Sequence, residues 1–386
     1  MTELPARADA VVVGGGVMGA STAYHLAAAG LKDVVLLERE DQLGSMSTGQ
    51  CAGGIRHQFS TETNVRLSIE SIRMMEAFEQ ELGQTLDLNL CGYLILLTEE
   101  SDLEVFRGNV ELQRRLGVDT QWLERDAIAE KIPLVNIDGV LAATWCDRDG
   151  LADPGGMVQG YGKAAKARGV TMLTGTEVTG IRAEGSRITA VETSRGAVAT
   201  PVVVNACGAW APQLGAMIGV DIPIKPIRRQ LVTTTPVPEL PANFPFVVFF
   251  SSSLYFHREG GGVLSGKSNN DQGPGYDISV DEEWEAVHML EAMERMPVLE
   301  DAGILSHWAG LYEVTPDNHP IFGHVSSVEG FYVTAGFSGH GFMHGPIAGK
   351  LMAEEILDGK AHTVNVDGFR WERFVEGDLK PEYNVI

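Results

Sequence analysis

Apolar residues fall along this chain in two rhythms, one of strands and one of helices. Ala8 to Val13 is a short β-branched run that stops at Gly14-Gly15-Gly16, which predicts a buried strand. From Val17 to Ala29 the apolar positions recur at helical spacing, and Gly30 stands where a helix would be capped. Asp33 to Glu38 (DVVLLE) predicts a second buried strand. Strand, helix and strand within about 30 residues make a βαβ unit, whose strands run parallel with a right-handed crossover.

Further along, Glu62 to Leu82 predicts one long amphipathic helix, with Val65, Ile69, Ile72 and Met75 on one face and Arg66, Arg73 and Glu76 between them. Leu90 to Leu97 predicts a strand. Leu103 to Leu116 and Met157 to Arg168 predict helices, closed by Gly117 and Gly169. Val170 to Val204 alternates in short runs with turns at Glu184-Gly185 and Arg195-Gly196, the pattern of an antiparallel meander, and ends in the apolar strand of PVVVNACGAW. Proline is dense from Pro223 to Pro245, which marks a crossover. Phe246 to Phe250, Val263 to Ser265 and Gly330 to Ala335 predict strands, and Glu282 to Met296 a helix. The last predicted helix runs from about Pro346 to Asp358, where Gly359 ends it; the polar tail after Thr363 predicts no element.

The length of 386 residues corresponds to two or three domains at about 150 residues each. Hydrophobic residues make up 44% and charged residues 21%, ordinary for a folded protein. The 29 Lys and Arg against 52 Asp and Glu leave a net charge of −23, which argues against nucleic acid and anionic membrane surfaces as partners. No apolar run approaches the roughly 18 residues of a membrane span, and the N-terminal residues lead into a strand, not a secretory leader. Four unpatterned cysteines fit a reducing, cytoplasmic setting.

Two glycine-rich loops carry the candidate chemistry. Gly14-x-Gly16-x-x-Gly19 follows a strand and opens a helix, and Glu38 closes the next strand. This is a dinucleotide-binding fingerprint. The first glycine permits the turn, the second lets a pyrophosphate approach the helix N-terminus, and the third packs helix on sheet. The carboxylate accepts from a ribose. The spacing does not choose between FAD and NAD. The second loop, Gly336-Phe337-Ser338-Gly339-His340-Gly341-Phe342, also leads into a helix. In a flavoprotein its N–H groups suit the N1–C2=O edge of the isoalloxazine. His340 and His344 are spaced like zinc ligands, but the glutamate and a third ligand are missing. AGFSGHG is not a nucleophile elbow, because His340 replaces its last glycine.

With ADAVVVGGGVMGASTAYHLAAAG and LLERE, GSMSTGQCAGGIRHQF, VVNACGAWA, LYFHREGGGVLSGKS and AGFSGHGFMHGPIAGKLMAEEI in this order, the chain resembles the family of D-amino-acid oxidase, glycine oxidase and monomeric sarcosine oxidase, nearest its glycine oxidase and sarcosine oxidase branch. The resemblance implies an α/β fold: a Rossmann-like FAD-binding domain interleaved with an α+β substrate domain on a mixed, largely antiparallel sheet. The FAD domain would take 1–90, 150–225 and 320–386, and the substrate domain 91–149 and 226–319. FAD would be held by Gly14, Gly16, Val17, Met18, Gly19, Glu38 and Arg39, by Ser45, Ser47, Thr48, Gly53 and Gly54, by Val178, Ala206 and Gly208, and by Gly339, His340, Gly341, Phe342 and Met343.

The same resemblance makes Arg56, in Ile55-Arg56-His57-Gln58-Phe59, the expected substrate-carboxylate anchor. Tyr255 and Tyr312 would line the pocket, with His57, His257 and Lys267 as secondary polar candidates. Three family features are absent. Met343 stands where sarcosine oxidase has a cation, Tyr312 where glycine oxidase has an arginine, and Gly310 near the cysteine that tethers flavin in sarcosine oxidase. Non-covalent FAD is therefore expected. So is tolerance of a bulky apolar substituent beside Met343 and Phe246 to Phe250.

The implied reaction is oxidation of the C–N bond of a small amino acid or N-substituted glycine. Hydride passes to flavin N5, the imine hydrolyses, and O2 reoxidises the flavin to give hydrogen peroxide. A dehydrogenase using another acceptor, an oxidase of a hydroxy compound and a non-catalytic FAD-binding subunit stand as alternatives. A monomer or small homo-oligomer is expected.

Overall fold

In the computed structural model, which describes residues 3–385, the Ala10–Val13 strand lies inside a six-stranded sheet. The strand order is Ile321–His324, Phe331–Ala335, Val203–Asn205, Ala10–Val13, Val34–Leu37 and Thr171–Leu173. All neighbours are parallel except Ile321–His324, which returns antiparallel beside Phe331–Ala335. The central strands are buried on both faces, which explains their unbroken apolar runs. Alternation assigns Val12, Leu36 and Val204 to one core and Val11, Val13 and Val35 to the other. On the first face pack the helices Val17–Ala28, Pro154–Ala167 and Gly341–Asp358. A Cβ on Gly19 would stand 1.8 Å from the Gly14 carbonyl oxygen, so glycine alone allows the first helix this close to the strand end.

Against the carboxyl ends of these strands lies an eight-stranded sheet. It runs Ile304–Val314, Lys225–Thr234, Gly262–Lys267, Leu254–Glu259, Phe246–Phe249, Tyr93–Leu97, Ala142–Cys146, Gln121–Leu123. Only Phe246–Phe249 and Tyr93–Leu97 are parallel neighbours; the rest pair antiparallel. One face, with Leu94, Leu96 and Val247, packs under the helices Arg125–Lys131 and Glu282–Arg295. The other face presents Tyr93, Phe246, Tyr255 and Leu231 toward the first sheet. The fold is thus the expected α/β arrangement, and the roof sheet is mixed and largely antiparallel.

Several elements differ from their sequence expectation. The long amphipathic helix is two, Glu62–Glu76 and Phe78–Leu82, and the turn at Ala77 directs Phe78 into the core against Tyr161, with ring centroids 5.2 Å apart. Thr171–Leu173 joins the parallel sheet instead of the meander, which consists of Val178–Glu184, Arg187–Thr193 and Gly196–Ala199. The Pro154–Ala167 helix starts earlier than expected. Asp153 caps it by accepting from Gly155 N and Gly156 N at 2.9 and 2.8 Å, with Pro154 at the first position. The last long helix starts at Gly341, so Pro346 sits inside it. As the sixth residue of the helix it has no N–H to give the Phe342 carbonyl, so one bond of the ladder is missing there. The polar tail folds back over residues 58–64, and Glu382 within it is 1% exposed. Among the described residues, no helix is long and apolar enough to cross a membrane.

Candidate functional site

A cleft of about 210 Å³ opens at the carboxyl ends of Ala10–Val13 and Val203–Asn205. Gly14, Gly16, Val17 and Met18 form its floor. The Val17–Ala28 helix has no side-chain cap at Gly16, and Val17 N finds Thr48 Oγ1 at 3.2 Å, so the next N–H groups of the first turn lack helical acceptors. Glu38 lies at the cleft wall, its Oε2 accepting from Gly15 N at 2.6 Å and its Oε1 from Glu40 N at 2.8 Å. Arg39 covers the Trp210 ring at 4.2 Å, and both line the cleft together with Ser45, Ser47, Thr48, Val178, Ala206 and Gly208. Gly19 lines nothing here; it serves the packing beneath.

A second cavity of about 90 Å³ lies under the eight-stranded sheet. It shares Ser47, Cys51, Leu311, Tyr312, Gly339 and Phe342 with the cleft, so the two spaces meet at one wall. That wall includes the uncapped start of the Gly341–Asp358 helix, at Gly339 and Phe342. The Tyr312 ring lies directly over Gly339, where a Cβ would come within 2.3 Å of it. Tyr93 stacks on Phe246 with centroids 4.3 Å apart, and Phe246 on Tyr255 at 5.6 Å, giving the chamber an aromatic roof. Burial pushes the phenols of Tyr93, Tyr255 and Tyr312 upward, so none ionises near neutrality.

The chamber holds two arginines and, among the described residues, no acid lines it. Arg56 is 3% exposed. Its Nη1 donates to the Gln58 carbonyl, its Nη2 to the Asn384 carbonyl, and its Cζ lies 4.0 Å from the Phe59 ring centroid. The expected anchor is therefore largely engaged with the backbone. Arg229 is the freer cation. Its Nη1 donates to the Arg228 carbonyl at 3.1 Å, its buried Nε has no partner, and burial lowers its pKa despite Tyr312 and Tyr255 nearby. Sequence reasoning missed Arg229. The signal was parity: Arg229 shares a strand face with chamber-lining Leu231, whereas Arg228 points to Asp277 at 3.0 Å.

Other expected site residues are placed as follows. Gly53, Gly54, His340 and Met343 line the smaller chamber, where the chain from Cys51 onward passes beneath the roof. His57 lies outside both spaces; its N and Nδ1 reach Asp149 Oδ1 at 2.8 and 2.6 Å, and Gln58 Nε2 reaches Oδ2 at 3.0 Å. Cys146 stands in the same cluster, but with both Asp149 oxygens taken by N–H donors the group is a hydrogen-bonded joint between segments. Lys267 points away, 2.6 Å from Glu291 Oε2 and 3.0 Å from the Ser252 carbonyl. His257 stacks on Phe246 at 5.0 Å, and burial lowers its pKa to about 4.

Glu313, also missed, faces the cleft and accepts from Gly336 N at 2.7 Å; burial raises its pKa to about 7. His340 is neutral, pushed down by burial. Its Nε2 meets the Asn318 carbonyl at 3.1 Å and its Nδ1 meets His344 Nδ1 at 3.3 Å. The Asn318 carbonyl can only accept, so His340 Nε2 donates to it, His344 Nδ1 donates to His340 Nδ1, and Ser68 Oγ donates to His344 Nε2 at 3.0 Å.

The cleft fits FAD on its own geometry. One end offers free helix N–H groups and the Glu38 carboxylate, which would take a ribose; the other offers a second helix start where cleft and chamber meet. A family model described as FAD dependent oxidoreductase matches residues 9–355. Sarcosine dehydrogenase, mitochondrial, of Homo sapiens is 31% identical over 96% of this chain, which spans 42% of that relative's length. The structure of L-proline dehydrogenase from P. horikoshii superposes with a TM-score of 0.91 at 35% identity, covering 98% of this chain and 100% of that one. Glycine oxidase from Geobacillus kaustophilus superposes with a TM-score of 0.85 at 26% identity, covering 95% and 98%. With a fingerprint, a fold and a cleft that agree, the chain belongs to the family of FAD-dependent oxidoreductases typified by D-amino-acid oxidase.

Proposed function

We propose that this chain oxidises the C–N bond of a small amino acid or N-substituted glycine. One observation carries this reading: in a chain of net charge −23, the chamber beside the cofactor cleft is lined, among the described residues, by two guanidinium groups and no acid. Such a chamber selects a small carboxylate, and a planar guanidinium fixes its orientation through two parallel hydrogen bonds. Arg229 is the proposed anchor, since its Nε is buried and unpartnered, and a buried donor left unpaired costs ~1–3 kcal/mol until a ligand accepts it. Arg56 adds positive field from a fixed position. The aromatic roof excludes water and favours the neutral amine. FAD supplies the two-electron acceptor. The Cα–H bond electrons leave with the hydrogen, the nitrogen lone pair closes a C=N bond, the N–H proton goes to solvent, and water then splits the imine into a carbonyl compound and an amine. The named activities of the sarcosine, proline and glycine relatives support this substrate class.

The proposed division of labour puts the cofactor on 1–90, 150–225 and 320–386, of which residues 1, 2 and 386 lie outside the described residues, and the roof on 91–149 and 226–319. FAD is proposed to be non-covalent, since Gly310 offers no side chain. Dioxygen is the proposed final acceptor, because reducing it creates negative charge that two fixed guanidinium groups stabilise. A carrier is the second reading, favoured by the dehydrogenase names of two relatives. All four cysteines are free, which supports a reducing, cytoplasmic compartment.

The test is a spectrum from 350 to 500 nm of the FAD-loaded protein, recorded anaerobically with glycine, N-alkylglycines, proline and D-amino acids in turn. Bleaching by at least one supports the proposal. Peroxide formed in proportion to substrate once air is admitted selects dioxygen. A flavin that none of the panel bleaches overturns it.

A further inference from the structure

The segment around Glu382 is polar and was given no element by its sequence, yet it is one of the most firmly bonded parts of the molecule. Glu382 is 1% exposed. Its carboxylate accepts from Ser60 N at 2.7 Å, Ser60 Oγ, Thr61 Oγ1 at 2.7 Å, Asn64 Nδ2 at 2.9 Å and Asn384 N at 3.0 Å. Its own N donates to the Asp317 carbonyl at 3.0 Å. Asn384 is equally fixed: its Nδ2 donates to the Gln58 carbonyl at 3.1 Å and its Oδ1 accepts from Asn109 Nδ2 at 3.2 Å. The Asn384 carbonyl takes Arg56 Nη2.

Burying a carboxylate is costly unless donors surround it, and donors from residues 60–64 and from Asn384 do so here. A tether alone needs no such geometry. What the geometry delivers is the next side chain, Val385, which forms part of the chamber wall along with Arg56, His340 and Met343. Among the described residues after Gly359, no other apolar residue lines the chamber, and most of the apolar wall is built from strands and helix.

We infer that residues 382–385 form a specificity strap: Val385 sets the largest apolar substituent the chamber admits, and Glu382 is the positioning residue that holds it there. The inference rests on the reading of the chamber as the site of amine oxidation. The ligand class is a small carboxylate whose short apolar group meets Val385, with Arg229 of the same chamber holding the charge.

The experiment uses the FAD-loaded full chain and two pairs of probes. N-methylglycine and N-propylglycine report through anaerobic flavin bleaching; acetate and pentanoate, which cannot be oxidised there, report through the shift they cause in flavin absorption. Val385→Ala should raise the preference for the larger member of each pair about tenfold, the scale set by a methylene-sized change in a pocket, while the smaller member changes little. Val385→Trp should abolish binding of both. Glu382→Ala should shift preference in the same direction as Val385→Ala, and Glu382→Gln should do so less. If Val385→Ala moves both members equally, or neither, the strap is not a specificity element, whatever Glu382→Ala does to folding. If the wild-type flavin responds to no amine and no carboxylate, the reading of the chamber itself falls, and the strap inference with it.

Discussion

Arg229 and Tyr312 face one another in the chamber, the guanidinium carbon 5.3 Å from the centre of the phenol ring. The ring therefore covers one side of the cation while the buried Nε is left for a ligand. Arg229→Ala should raise KM for carboxylate substrates by at least about 30-fold, since losing a buried charged contact costs ~2–5 kcal/mol. Arg229→Lys should recover part of that loss, because a point charge replaces a planar fork. Steady-state kinetics with one N-alkylglycine checks both; an unchanged KM in Arg229→Ala removes this residue from substrate binding.

Arg56 should behave differently. Its two terminal nitrogens are engaged by the Gln58 and Asn384 carbonyls, so Arg56→Ala leaves the buried Asn384 carbonyl without its donor, takes one of two donors from Gln58 and loosens the strap. Unpaired buried groups cost about 1–3 kcal/mol each. The expected result is a lower Tm by calorimetry, together with a smaller KM effect than Arg229→Ala. A variant with wild-type Tm and the larger KM effect would return the anchoring role to Arg56.

Glu313 gives a pH dependence with a defined sign. Its carboxyl is ordinarily at 4.5 and burial raises it to about 7 in the folded protein. The folded state thus binds the proton more tightly, so the residue costs nothing below about pH 4.5. The cost grows as pH rises through the window to about 7 and is complete above it. Glu313→Gln, which keeps an acceptor for Gly336 N, should stabilise the FAD-free protein at pH 8 by about 1–3 kcal/mol and leave it unchanged near pH 4. Denaturant titrations at the two pH values make the comparison; equal shifts at both would mean the carboxyl is not held in this way.

The flavin should leave with the solvent when the protein is denatured by acid. Gly310 carries no side chain, and burial raises the Cys51 thiol at the shared wall to about 12, so little thiolate exists to attack a ring. Yellow supernatant and colourless precipitate are expected. A yellow precipitate would show a covalent bond.

Legibility in the sequence followed the range of the interactions. The nucleotide end is local: Gly14, Gly16, Gly19 and Glu38 occupy one βαβ unit, and their spacing alone places them. The second helix start was equally visible in Gly339 and Gly341, although its first residue was set too late because Pro346 was read as a boundary. The chamber is assembled from distant strands. Arg229 and Leu231 share a face only in the sheet's actual register, and Val385 reaches the chamber through bonds spanning more than 300 residues, as from Ser60 to Glu382. His57 and Lys267 illustrate the reverse. His57 follows Arg56 directly and Lys267 ends the Gly262–Lys267 strand of the roof sheet, but one turns to Asp149 and the other to Glu291. Neighbours in a strand point to opposite faces, so adjacency to a site residue predicts little.

The most direct measurement compares anaerobic flavin reduction by N-methylglycine with that by its amide, N-methylglycinamide, in single-turnover experiments. The amine and the reacting carbon are the same; only the carboxylate charge is gone. Reduction by N-methylglycine at low concentration, with the amide at least about 100-fold less effective in rate over concentration, is the predicted result. Equal reduction by both would contradict the assignment of this chamber to a carboxylate-bearing amine.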